Sequence, residues 1–193
     1  MPPRWAAISV ALLAGVTFLF SALTISAAPS TFADSQFNQD LQQFLECKKT
    51  LKNYYDLGFE FEDDLKKNGW IKQGEEYSYV SKVPITVFSQ TTDQISLVSG
   101  GMLAVLKHAN TKDLAKKFQI TQNPFFKDMP YFSGEKVVKT DLETKETEKS
   151  VRKLTLAESN PVVDQGEHKT YIGCVYITAF EQQQQDAAIK ALQ

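Results

Sequence analysis

Arginine, histidine and cysteine are each scarce in this chain: two arginines (Arg4 and Arg152), two histidines and two cysteines in 193 residues. Each scarcity removes a class of chemistry. Bidentate recognition of phosphates and base edges relies on arginine, and beyond the first segment only Arg152 remains. A formal net charge of −2 adds no attraction to a polyanion, so nucleic acid is excluded as a partner. Two cysteines are too few for an all-cysteine zinc site or a disulfide-dense miniprotein. His108 and His168 lie far apart in sequence with no His-x-x-x-His spacing, so a zinc site would need ligands from distant segments. There is no Gly-x-Ser-x-Gly, no phosphate-binding glycine loop and no dinucleotide fingerprint. No metal or nucleotide cofactor is expected, and no motif makes a positive case for an enzyme. Hydrophobic residues at 42% and charged residues at 23% set aside disorder and collagen-like repeats.

What is present begins with an address. Arg4 precedes an uncharged, apolar run from Trp5 to Ala28, and no acid occurs before Asp34. This is the pattern of a secretory signal peptide over residues 1–33. Cleavage after Ser26-Ala27-Ala28 would leave Pro29 first, an unfavourable position. Cleavage after Thr31-Phe32-Ala33 leaves Asp34 first and is preferred. The alternative is an uncleaved membrane anchor, because about 20 apolar residues span a bilayer. Cys47 lies well past the apolar run and follows Glu46, which argues against a lipoprotein. The mature chain, 34–193, is read as a single α+β domain at a periplasmic or secreted location. Cys47 and Cys174 are then the only thiols in an oxidising compartment, and a disulfide between them is expected.

The periodicities give an order of helix, strands, short helix, strands. Asp34 or Ser35 caps a first helix whose stripe is Phe37, Leu41, Phe44, Leu45, Leu51 and Tyr55. Lys48 falls inside that stripe, so it must snorkel or the helix must bend there. Asn68-Gly69 marks a turn, and from Trp70 to His108 the period becomes two. Pro84 suggests an edge strand, Ser99-Gly100-Gly101 a hairpin turn, and Met102 to Leu106 a central strand. Thr111 opens a short helix burying Leu114, Ala115 and Phe118. Residues 135–140 and 149–157 form a charged hairpin around the solvated run 141–148. Thr170 to Phe180 is the clearest strand, with Ile172, Cys174 and Tyr176 on one face. Residues 181–193 read as a frayed helix or tail. The expected architecture is α+β, a mainly antiparallel sheet of six or seven strands with an amphipathic N-terminal helix on one face, a second short helix and a single disulfide.

Two surfaces carry candidate function. The loop from Asn123 to Gly134 holds two prolines, yet it also carries Phe125, Phe126, Met129, Tyr131 and Phe132. If at least two of those rings are exposed, the loop is a binding surface, with Trp70 and Tyr77 as secondary positions. Otherwise the loop seals the end of the sheet. The acids Asp56, Glu60, Glu62, Asp63 and Asp64 could serve glycoside hydrolysis or calcium, but no calcium-loop spacing exists. With Lys66 and Lys67 following at once, a solvated surface is the better reading. The function expected is binding, of inhibitor, immunity or accessory type, through an aromatic surface to another protein or an apolar ligand. The alternatives are an envelope hydrolase with a scattered carboxylate site, or an anchored accessory subunit if the signal is retained.

Overall fold

The computed structural model describes residues 35–74, 77–142, 149–161 and 167–191. The expected signal segment, 1–33, and most of the charged loop 141–148 lie outside the described residues. Helices α1 (Gln36–Leu45), α2 (Leu51–Asp56) and α3 (Phe61–Lys67) lead into strands β1 (Trp70–Gln73), β2 (Ser78–Val87), β3 (Gln90–Val98) and β4 (Gly101–Leu106). Helix α4 (Thr111–Phe118) and a 3-10 turn at Pro124–Phe126 precede β5 (Ser133–Leu142), β6 (Lys149–Glu158), β7 (Thr170–Thr178) and α5 (Ala179–Lys190). The seven strands form one antiparallel sheet in the order β1-β2-β3-β4-β7-β6-β5. The expected α+β class is the observed one.

Two meanders meet along the β4–β7 seam. The apolar run of β4 puts it fourth of seven, buried on both faces. Gly101 and Gly173 let the two backbones close. A Cβ on Gly101 would lie 2.3 Å from the Cys174 carbonyl oxygen, and one on Gly173 would lie 2.2 Å from that of Met102. Pro84 sits in the stretch of β2 beyond Ser81, where β1 no longer pairs, and between Val80 and Ile85 the ladder with β3 is interrupted. A residue with no N–H costs least there.

Helices α1, α2 and α4 cover the face that carries Met102, Leu154, Ile172, Cys174 and Tyr176. Ser35 caps α1, its side chain accepting the Asn38 N–H. The stripe expected to run on to Tyr55 stops at Cys47, whose φ of 58° ends the helix. Lys48 stays in solvent beside Glu46, and Thr50 starts α2 through a reciprocal cap with Asn53. That restart resets the helical phase. Leu51 is therefore buried while Tyr55, expected on the core stripe, is exposed.

Three bonds fix the end of α1 to the sheet. Cys47 and Cys174 are disulfide-bonded with Cα atoms 5.0 Å apart, and the bond indicates an oxidising, extracytoplasmic environment. The Tyr176 hydroxyl donates to the Phe44 carbonyl at 2.7 Å, satisfying one of the carbonyls a helix end leaves open. Arg152 donates from Nη1 to the Cys47 carbonyl at 2.6 Å and from Nη2 to Asp141 at 2.9 Å, with its Nε 2.7 Å from the other Asp141 carboxylate oxygen. Further along α1, the Trp70 indole N–H donates to the Asn38 side chain at 3.0 Å, both groups buried.

The opposite face is covered only in part. Lys153 points away from Leu154 and meets Glu135 and Gln185 of α5. The segment expected as a frayed helix or tail thus forms a capped helix over β6 and β7, begun by Thr178 and Glu181.

Candidate aromatic binding surface

The Asn123–Gly134 loop is tied down by its own polar groups. The Asn123 side chain accepts the Phe125 N–H at 3.0 Å, and Gln122 bonds the carbonyls of Phe126 and Tyr131. Glu158 receives the Phe132 N–H at 2.8 Å. Phe126 and Tyr131 touch each other, half-buried, and Phe132 packs against the core. Phe125 at 46% exposure and Met129 at 50% are the large apolar side chains this loop exposes, beside the exposed Lys127 and Asp128. Among its rings, one is exposed rather than two. Trp70 is 0% exposed and lies in the core, where no partner reaches its ring. Tyr77 is exposed, with the Lys72 ammonium 4.7 Å above its ring.

A denser aromatic surface forms at the corner between α2 and α3. Gly58 has a φ of 63°, a conformation glycine adopts without cost, and the turn it makes throws Phe59 fully into solvent. Tyr55 on α2 is also exposed. Between them lies a cleft of about 410 Å³, lined by Tyr54, Tyr55, Phe59, Phe61, Glu62 and Leu97 among others. The walls are held. Tyr54 stacks on Tyr176 with centroids 5.2 Å apart, and Phe61 stacks on Phe37 at 6.2 Å. Burial and then the neighbouring Tyr55 raise the Tyr54 phenol above its ordinary value.

The acids expected as a solvated surface rim this corner. Asp56 pairs with Lys52 at 2.7 Å, Asp64 with Lys67 at 3.0 Å and Glu62 with Lys72 at 3.5 Å, all in partly exposed positions. Sequence reasoning weighs these carboxylates and misses the rings among them. Tyr54, Tyr55, Phe59 and Phe61 are four aromatic residues within eight positions. That density is the signal that could have found the corner.

A larger cleft, about 740 Å³, opens on the other face of the sheet. Ile71 and Val80 are in its lining, and both histidines reach it, His108 from beyond β4 and His168 from the segment before β7. Four of its charged side chains form two pairs, Lys107 with Asp93 at 2.9 Å and Lys169 with Glu167 at 2.8 Å, and Lys82 also lines it. Lys169 holds the Glu167 carboxyl below its usual range.

No family model, curated protein or solved structure matches this chain. Among the described residues, no helix is long and apolar enough to cross a membrane.

Proposed function

We propose that this protein is a periplasmic or secreted binding protein, of inhibitor, immunity or accessory type, whose contact surface is the α2–α3 corner. The observation that carries this reading is the pairing of a fully exposed Phe59 with an exposed Tyr55 over a ring-lined cleft. Exposed aromatic clusters on rigid supports are where binding energy concentrates. The apolar run before Asp34, read as a signal peptide, and the disulfide agree with a location outside the cytoplasm. The loop at Phe125 and Met129 is a second apolar surface at the other end of the sheet, with fewer rings.

A photo-reactive amino acid placed singly at Phe59, Tyr55, Phe125 or Ile71 in cells tests this. One discrete adduct from Phe59 and Tyr55, and none from Ile71, is the expected result. Adducts arising only from Phe125 or Ile71 would move the contact surface away from the corner.

A further inference from the structure

The lining of the corner cleft also defines a ligand chemistry. Four rings, Tyr54, Tyr55, Phe59 and Phe61, and one carboxylate, Glu62, surround it. An aromatic face is electron-rich, so a cluster of such faces with an anion attracts a cation whose charge is spread over apolar groups. The molecule uses this interaction on itself. Lys72 lies over Tyr77 at 4.7 Å, Lys117 over Phe118 at 5.2 Å and Lys49 over Phe44 at 5.8 Å. Among the described residues, no lysine or arginine stands over any of the four cleft rings. Glu62 meets Lys72 at 3.5 Å and Asp56 meets Lys52 at 2.7 Å, both pairs partly exposed and so weak, and Glu60 and Asp63 add further acids close in sequence.

We infer that this cleft binds the quaternary ammonium group of a small molecule. The inference rests on the corner being the contact surface, and it names the chemistry recognised there. A cleft of about 410 Å³ lies within the range of small-molecule sites, about 300–1,000 Å³. The methyl groups of a trimethylammonium head need no hydrogen bonds and can lie against ring faces. A primary ammonium would have to surrender its water for ring faces that accept weakly.

The probe is choline, titrated into the full mature protein while the ring resonances of the aromatic residues are followed by NMR. The control is its neutral carbon isostere, with a tert-butyl group in place of trimethylammonium. Choline is expected to give a saturable shift centred on Tyr54, Tyr55, Phe59 and Phe61, and the isostere to bind several-fold more weakly. Phe59→Ala and Tyr55→Ala should each weaken choline by about two- to thirty-fold. Glu62→Gln should weaken choline and leave the isostere unchanged, which a merely apolar pocket would not show. Thermal unfolding of Phe59→Ala is expected to match the parent, because the ring is fully exposed. Equal binding of choline and isostere would overturn the cation inference and keep an apolar contact surface. No saturable shift with choline would also overturn it, while the cross-linking at Phe59 decides the contact surface separately. A peptide carrying one trimethyl-lysine that binds far more tightly than choline would overturn the small-molecule assignment.

Discussion

Phe59 and Trp70 are eleven positions apart by number and lie at opposite extremes of exposure. Phe59→Ala is expected to change unfolding free energy by no more than about 0.5 kcal/mol. Trp70→Ala removes a fully buried ring and its hydrogen bond to the Asn38 side chain, at about 3–5 kcal/mol. Chemical denaturation of the two variants reads both values. The sequence does not separate these rings. Trp70 opens a four-residue strand too short for alternation to show which way it faces, and Phe59 sits in a turn with no periodicity at all. Glu46 provides the pH dependence. Burial opposes its ionisation most strongly, but hydrogen bonds from Lys48, the Phe88 N–H and Gln42 outweigh burial and hold its carboxyl below the ordinary value of 4.5. A carboxyl depressed by folding adds stability above its unfolded value and loses that stability as pH falls through the folded one. Urea midpoints measured as pH is lowered from 4.5 should therefore drop, and the drop should be shallower in Glu46→Gln.

At the scale of elements, the join between α1 and β7 carries the strongest expectation. The disulfide closes a separation of 127 residues, and the chain-entropy account assigns it about 4–5 kcal/mol. The double variant Cys47→Ala/Cys174→Ala should lose that much in a denaturant titration, a loss of less than about 1 kcal/mol counting against the assignment. The β4–β7 seam makes a second demand. Gly101→Ala and Gly173→Ala each push a methyl into a facing carbonyl, and each should cost about 1–3 kcal/mol or more. Strands are the legible part of this fold: alternation through β3 and β7 and the apolar run of β4 indicate their faces and the central place of β4. The α2–α3 region is not legible. Lys48 announces a bend, but α2 and α3 span six and seven residues, too few for a 3.6-residue period to stand out. Helix α5 is half legible, as a frayed helix or a tail, for another reason. Its glutamine-rich sequence has no apolar stripe, and its tie to the sheet is polar, Gln185 to Lys153.

For the whole molecule, the address and the fold bear on each other. If residues 1–33 act as the proposed signal peptide, N-terminal sequencing of the mature protein is expected to start at Asp34, and a start at Met1 would favour the anchored alternative. A chain exported from its N-terminus delivers α1 and the β1–β4 meander first. Yet β4 has β3 on one side and, on the other, β7, the last strand to arrive. Until residues 170–178 emerge, the inner edge of β4 is an open ladder of apolar residues, and such edges invite pairing with other chains. Oxidation of Cys47 must also wait, because its partner lies on that same last strand. The covalent bond therefore acts as a completion mark: an exported chain that stalls before Cys174 carries a free thiol and an open edge together. Trapping free thiols at successive times after synthesis would show Cys47 reactive until β7 is delivered, then protected in one step.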